Sequence, residues 1–226
     1  MSQIRGQNYE DQREVILAGA AGLFAQNGYH GTSMNDVADA CGLSKATLYH
    51  YYRDKSEVLI SIAEGHVSRL VELCRSVRTD AAVEPADRLS TLIARFLQEY
   101  AEAQNSHRVL TEDVRFLPSA DRKRILDKER FVVQSFADAI AIVRPDVGRA
   151  ELEKPVAMLL FGMLNWMFTW LRPNGKLNHA SVAPLVASLF FDGLSGVKIP
   201  SADPTVGAPL APARARRQVP RIRKSG

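Results

Sequence analysis

A run of polar side chains between residues 44 and 50 carries the most readily interpreted chemistry in this chain. It reads Ser-Lys-Ala-Thr-Leu-Tyr-His and places hydroxyl, ammonium, phenol and imidazole groups within one short segment. Such groups bond to phosphate oxygens and to the edges of bases, whereas a solvated helix face usually carries Glu and Lys. The composition of this run therefore favours contact with a nucleic acid over simple exposure to water.

Two short predicted helices hold this run in place. Ser33 suits the N-cap of the first helix, with Asp36 three residues later, and Gly42 supplies the backbone freedom that ends it. Ser44 suits the N-cap of the second helix, in which Leu48 faces inward. Helices joined so tightly must cross steeply, as in a helix-turn-helix unit, whose second helix enters the DNA major groove. The alternative is an ordinary helical hairpin, which fits the spacing but does not explain the outward side chains.

The amino-acid sequence of this region resembles a known family signature. Gly-Leu-Ser-Lys-Ala-Thr-Leu-Tyr-His-Tyr-Tyr at 42–52, followed by Asp-Lys-Ser-Glu at 54–57, is similar to the signature of the TetR family of bacterial transcriptional regulators. The likeness extends back through Phe24, Gly28, Thr32 and Ser33. It implies a three-helix DNA-binding head joined to a helical body. We expect phosphate contacts from Ser33, Thr47, Tyr49 and Lys55, base contacts from Lys45, Ala46 and His50, and a further DNA contact from Ser44.

Net charge by itself does not support DNA binding. The chain carries a formal charge of +4, but the segment 199–226 holds six basic residues against Asp203. Residues 1–60 hold five basic and seven acidic side chains, so local placement must supply the attraction to DNA. The segment 199–226 also contains five prolines and little apolar material, and we interpret it as a disordered basic tail.

No arrangement of residues in the sequence predicts catalysis or a resident cofactor. The five histidines are scattered, and Cys41 and Cys74 lie far apart without the spacing of metal ligands. We therefore expect no catalytic residues, no metal site and no enzyme activity. No secretion signal precedes Arg5, and the apolar run from Met158 to Leu171 is interrupted by polar and small residues. A reduced cytoplasm and no membrane association are the expectation.

The sequence predicts an all-α fold, with an N-terminal three-helix helix-turn-helix head and a helical ligand-binding and dimerisation body. We place the head at 1–56, the body at 57–198 and the tail at 199–226. The first eight residues are predicted to be loose. Apolar periodicity, capping residues and breakers predict helices near 9–27, 54–79, 85–105, 107–116, 119–143, 150–172 and 179–194.

The last two predicted helices are too apolar for a monomer surface. The segment 158–171 is apolar on every side, and 182–191 is similar. Such a helix must be buried on both sides, and two of them doubled by a two-fold axis form a four-helix interface. The sequence therefore predicts a homodimer. A deep core helix of a larger monomer is the alternative.

A second resemblance concerns the body. Asn165-Trp166, Trp170, Arg172-Pro173 and Gly175 are similar to the C-terminal body of TetR-type repressors of fatty-acid, steroid and aromatic-acid catabolism. That resemblance implies release from DNA on binding an acyl-CoA. Asn165 needs a polar partner inside an apolar helix, and Arg115 or Arg172 could meet an anionic head group. We expect a ligand site formed by Arg115, Phe116, Phe161, Asn165, Trp166, Trp170 and Arg172.

Together these patterns predict a ligand-responsive repressor. Its partners would be a double-stranded DNA operator, a second copy of the chain and a small-molecule effector, with an acyl-CoA or aryl-CoA thioester as the expected effector. Packing in the core alone also explains an aromatic-rich body. The alternatives are thus a repressor that senses another small molecule and a ligand-independent DNA binder.

Overall fold

The secondary structure of the described part of the chain consists of α-helices and 3-10 helices, with no strand. A computed structural model describes residues 2–171 and 177–198. The predicted fold class is confirmed, while Arg172 and the tail lie outside the described residues. The helices are α1 Ser2–Gly31, α2 Met34–Ala40, α3 Lys45–Tyr51, α4 Lys55–Thr79, α5 Arg88–Glu102, α6 Gln104–Glu112, α7 Ser119–Val143, α8 Pro145–Arg149, α9 Glu153–Asn165 and α10 His179–Gly196.

The head consists of α1, α2 and α3 packed on the start of α4. Leu48 of α3 and Val37 of α2 are fully buried, and both belong to the same core as Phe24 of α1. Gly42 between α2 and α3 has φ +65°, a value that a residue with a side chain adopts only at a cost. The tight turn that the sequence predicts at this position is confirmed.

Helix α1 differs from its prediction at both ends. It begins at Ser2, so the prediction of a loose segment before Tyr9 is wrong. Residues 3–8 contain no proline, and a helix already formed extends more readily than a new one nucleates. Near its other end the backbone leaves the helical region at Gly28, with φ +75°, and then makes one further turn to Gly31. The hydroxyl of Thr32 donates to the carbonyls of Leu23 and Gly28 and holds this kink closed.

The body is built around α4, α5, α7 and α9. Rings from three of these helices meet edge to face at its centre, with Phe136 4.8 Å from both Phe96 and Phe161 between centroids. Helices α4 and α7 end as predicted, at Thr79 and Val143. Between α4 and α5 a 3-10 turn at Pro85–Asp87 takes up the first residues of the predicted 85–105 helix. These helices therefore form one aromatic core, against which the remaining helices pack.

The prediction of one helix over 150–172 is wrong, because α9 spans only Glu153–Asn165. A separate 3-10 turn follows at Met167–Thr169. The hydroxyl of Thr169 donates to the carbonyl of Trp166 at 2.7 Å, which is local bonding of the kind that competes with helical hydrogen bonds. No helix in the described part of the chain combines the length and the hydropathy that a membrane crossing requires.

Candidate DNA-binding surface and ligand cavity

Helix α3 presents the predicted DNA-contacting residues on its outer side. The hydroxyl of Ser44 accepts from the backbone N–H of Thr47 at 3.1 Å, and the two hydroxyls lie 2.8 Å apart. Leu48 is the buried residue of this helix and fixes its rotation against the head. With Leu48 inward, the side chains of Lys45, Ala46, Thr47, Tyr49 and His50 are all exposed.

The exposed surface of α3 is free of acidic groups. Between Ser44 and Tyr51 the sequence contains no Asp or Glu, and the Lys45 ammonium lies 5.9 Å from the Tyr49 ring centre. Tyr49 is 44% exposed. A short helix with a protruding cation, phenol and imidazole has the shape and the donors to enter a major groove.

Ser33 and Lys55 flank this surface, and both already form hydrogen bonds that stabilise the head. Ser33 and Asp36 form a reciprocal capping box at the start of α2, with Ser33 N donating to the Asp36 carboxylate at 2.7 Å. These bonds hold the pKa of Asp36 below its ordinary value. The Lys55 ammonium donates to the carbonyls of Tyr29 and Thr32 at 2.7 Å each. Lys55 thus fastens the end of α1 and keeps one further N–H for a phosphate, so its DNA contact stays a prediction.

Two tyrosines after Leu48 brace α3 against α1, which the sequence reasoning did not identify. Tyr51 stacks on Tyr9 with ring centres 4.8 Å apart. Tyr52 is 1% exposed, and its hydroxyl accepts from Arg13 Nε at 3.3 Å. Arg13 therefore holds Tyr52 in the packed head in addition to contributing positive charge to it. One signal for this bracing is present in the sequence: Tyr51 and Tyr52 each combine an apolar ring that can pack with a hydroxyl that can form a hydrogen bond.

The body contains a cavity of about 230 Å³ that is partly open to the surface, here called the body cavity. Its walls are mostly apolar, and the few polar groups converge from four helices. Such a lining is typical of sites for small organic ligands. The residues that line it are Val67, Leu70, Tyr100, His107, Leu110, Thr111, Glu129, Val132, Val133, Met158, Phe161 and Asn165.

Three polar residues of the body cavity, Tyr100, His107 and Asn165, belong to a connected network. The Tyr100 hydroxyl donates to the side-chain oxygen of Asn165 at 3.1 Å, which supplies the partner that the sequence required for this residue. The Tyr100 ring stacks on His107 at 3.6 Å between centroids, and His107 Nδ1 lies 3.3 Å from His66 Nε2. Burial lowers the pKa of His66, although Glu99 lies 3.5 Å from its other ring nitrogen. Burial thus favours the neutral form of the His66 imidazole over the charged form.

Glu129 is the acidic group of the body cavity. Burial raises its pKa above the ordinary value of a glutamate, and within the described ranges it forms no hydrogen bond or ion pair. A carboxyl in this position favours a neutral or hydrogen-bond-donating part of a ligand and disfavours a carboxylate beside it. The cavity is thus suited to an uncharged acyl or aryl group.

The structure brings together only part of the predicted ligand site. Phe161 and Asn165 line the body cavity. Phe116 instead lies at the junction of head and body, with its ring 4.4 Å from His30, and the Arg115 guanidinium lies 4.8 Å from that ring. Trp166 and Trp170 are 66% and 51% exposed, outside the cavity. Arg172 lies outside the described residues, and a role for these five residues in binding stays a prediction.

Helix α6 connects the cavity with the head. Its His107, Leu110 and Thr111 form one wall of the body cavity, and the same helix packs against α1. The 3-10 turn after it carries Phe116, which stacks on Tyr29 at the end of α1. A change in the position of α6 would therefore displace α1, the helix that braces α3. Among the described residues, no group of three or more His, Cys, Asp or Glu could hold a metal ion.

Comparison with known proteins agrees with this arrangement. A family model described as bacterial regulatory proteins, tetR family, matches residues 16–62. A second model, described as a tetracyclin repressor-like C-terminal domain, matches residues 82–194. The HTH-type transcriptional repressor KstR2 of Rhodococcus jostii is 25% identical over 190 residues, which cover 81% of this chain and 91% of that protein.

Solved structures have the same fold. A TetR-family transcriptional regulator from Bordetella parapertussis is 35% identical, with a TM-score of 0.75 over 83% of this chain and 98% of that one. AibR, solved in complex with isovaleryl coenzyme A and operator DNA, is 24% identical, with a TM-score of 0.66 over 79% of this chain and 98% of that one. From the two family matches and the Bordetella regulator, this chain belongs to the TetR family of bacterial transcriptional regulators.

Proposed function

We propose that this protein is a homodimeric repressor that leaves its operator when an acyl-CoA or aryl-CoA thioester occupies the body cavity. TetR-family regulators bind operator DNA as dimers and respond to small-molecule effectors. The observation that carries the proposal is the position of α6, which forms a wall of the cavity and packs on α1 of the head. A ligand that moves α6 changes the separation of the two α3 helices, which then miss successive major grooves.

The size and lining of the body cavity support an acyl or aryl group as its occupant. Its volume of about 230 Å³ is below the range of about 300–1,000 Å³ for drug-sized ligands. Phe161 and Val132 offer apolar contact, while Tyr100 and Asn165 offer hydrogen bonds to a carbonyl or hydroxyl. The relative AibR binds isovaleryl coenzyme A, a thioester with a short branched acyl group.

The nucleotide part of such a thioester must remain outside the body cavity. A groove of about 720 Å³, here called the α4–α7 groove, lies between α4 and α7, and its charged lining residues are Arg75, Lys123, Arg124 and Lys128 together with Glu72 and Asp127. Its residues Ser68 and Lys128 are direct neighbours in sequence of the cavity residues Val67 and Glu129. Arg75 pairs with Glu72, and Arg124 and Lys128 both pair with Glu64, so a phosphate there would share these cations with carboxylates. Arg115, in the 3-10 turn after α6, remains a candidate as well.

DNA binding is tested by recovering the operator. Genomic fragments bound by the purified dimer are sequenced, and the common site is titrated with protein. The proposal expects a two-fold symmetric site with half-sites about one helical turn apart. Binding to all fragments alike would indicate a ligand-independent architectural binder and contradict the proposal. We expect the protein to act in the cytoplasm, where Cys41 and Cys74 remain free thiols.

The effector is tested by release of the labelled operator with a panel of acyl- and aryl-CoA esters, each paired with its free acid. A thioester is expected to release the operator, and the free acid to do so poorly, because Glu129 disfavours a carboxylate in the cavity. Release by uncharged drug-like molecules, with none by any thioester, would favour a multidrug-type sensor instead. Absence of release by every compound would favour a repressor without a ligand.

A further inference from the structure

A second cavity lies at the opposite end of α4 from the head. It has a volume of about 180 Å³ and is enclosed by the last turns of α4, the start of α5 and the second half of α7. We call it the α4–α5 cavity. It shares no residue with the body cavity, and its lining consists of Cys74, Val77, Arg78, Arg88, Leu92, Ser135, Asp138, Ala139 and Ile142.

Two arginines of this cavity lack a carboxylate partner. Arg88 is half-buried, and its Nε is fully buried without a hydrogen-bond partner in the described part of the chain. A buried guanidinium N–H without an acceptor costs free energy, so the position calls for one. Arg78 also lines the cavity and is exposed, and its guanidinium lies 5.7 Å from the Phe131 ring centre but makes no ion pair with any described residue. Most other arginines of the body, such as Arg95 with Asp80, do have acidic partners.

The remaining polar groups of the α4–α5 cavity are already engaged or neutral. The Ser135 hydroxyl donates to the carbonyl of Phe131 at 2.9 Å. Burial raises the pKa of the Cys74 thiol to about 11, so this group carries no negative charge at neutral pH. The Asp138 carboxylate accepts from Gln134 at 2.8 Å. Two cations and one carboxylate leave a net charge of +1, which suits one anionic group rather than a dianion.

The walls indicate what kind of anion fits. Val77, Leu92, Ala139 and Ile142 are apolar and surround the space between the guanidinium groups and the core. A simple inorganic anion would leave these walls without contacts, whereas an organic acid fills them with its apolar part. We propose that the α4–α5 cavity binds a small organic monocarboxylate, with its carboxylate on Arg88 and Arg78 and its apolar body against α5 and α7.

This site would act separately from the thioester site. A carboxylate held there joins the last turn of α4 to the first turn of α5, and α4 is the helix that connects the head with the body. Its occupant has the chemistry of a free acid, which Glu129 disfavours in the body cavity. The inference does not depend on the proposed effector, because a protein that ignores every thioester could still bind an acid at Arg88.

The test is calorimetric titration of the full-length dimer with benzoate, butyrate and inorganic phosphate. Benzoate or butyrate is expected to bind with one site per chain, and phosphate more weakly. Because the bond to a charged donor is lost, Arg88→Gln and Arg78→Gln should each weaken binding by at least about ten-fold. Arg95→Gln serves as the matched control on the same helix, since its guanidinium pairs with Asp80 outside the cavity, and it should leave binding unchanged.

Several outcomes would overturn the proposal. They are absence of benzoate and butyrate binding at millimolar concentration, equal binding by the Arg88→Gln and wild-type proteins, and phosphate binding as tight as that of either acid. Acid binding that survives both Arg88→Gln and Arg78→Gln would belong to a site other than the α4–α5 cavity. Circular dichroism and thermal melting check that the variants fold. If Arg88→Gln does not fold, Arg78→Gln decides the test, because Arg78 is exposed.

Discussion

The dimer prediction rests on apolar side chains that α9 and α10 leave exposed. Leu159, Leu185 and Leu189 are 71%, 65% and 63% exposed, and Trp166 is 66% exposed. Burying a leucine completely stabilises by about 1.5–3 kcal/mol, so hiding the remaining two-thirds is worth about 1–2 kcal/mol for each. With two-fold symmetry each residue counts twice, and the three leucines supply about 6–12 kcal/mol. That amount offsets an association cost that is itself about 4–15 kcal/mol, before the tryptophans are considered.

Leu189→Glu tests this reasoning directly. The substitution removes two leucine contacts per dimer and brings two carboxylates into an interface where each lacks a partner. We expect the dissociation constant to rise by at least about three orders of magnitude, which corresponds to about 4 kcal/mol. Sedimentation velocity at micromolar concentration should then show a dimer for the wild type and a monomer for the variant.

A control and two contrary results complete the experiment. Val15→Glu introduces the same charge at a 53% exposed position of α1 in the head and should remain dimeric. If Leu189→Glu sediments like the wild type, the exposed faces of α9 and α10 are not the interface. If the wild type is a monomer at micromolar concentration, the dimer itself is refuted.

Three further substitutions probe the head and the body cavity. Lys45→Ala should cost about 1–3 kcal/mol on the operator and less on random DNA, as measured by anisotropy titration; equal losses on both would make Lys45 a phosphate contact only. Glu129→Gln should raise the melting temperature at neutral pH, because the folded state raises the pKa of this carboxyl above its unfolded value of 4.5. The gain in melting temperature should vanish below pH 4.5, and a gain that stays constant with pH would show that the charge of Glu129 is not its cause. Gly19→Ala should destabilise the head in urea unfolding, since the added Cβ would lie 2.8 Å from Cys41 Sγ. Adding Cys41→Ala should relieve this loss of stability. If the two substitutions instead change the free energy of unfolding additively, the contact is contradicted.

Local sequence signals predicted the head well. Ser33, Gly42 and Ser44 act over three or four residues, so capping and turn chemistry alone specify where α2 and α3 begin and end. The inward position of Leu48 follows from the same short periodicity and leaves the remaining α3 side chains outward. The bracing of Tyr52 by Arg13 was missed because it joins residues 39 positions apart.

The body was predicted less completely, because its polar contacts are long-range. Asn165 was known to need a partner, but Tyr100 lies 65 positions away and nothing local indicates it. The buried pair His66 and His107 was treated as two scattered histidines for the same reason. Aromatic content did not distinguish a cavity wall such as Phe161 from an exposed ring such as Trp166, since both lie on the same apolar stretch.

The most direct test of the whole account is operator release by a thioester after the body cavity has been filled. Val133 is a half-buried wall residue, and Val133→Phe places a ring in the space of about 230 Å³. This variant should bind the operator like the wild type but require at least about ten-fold more of the best thioester for release, since overpacking costs about 1–3 kcal/mol. Val143→Phe, also on α7 and half-buried but outside the cavity, should respond like the wild type. Release of Val133→Phe at the wild-type concentration of thioester would contradict a ligand site in the body cavity.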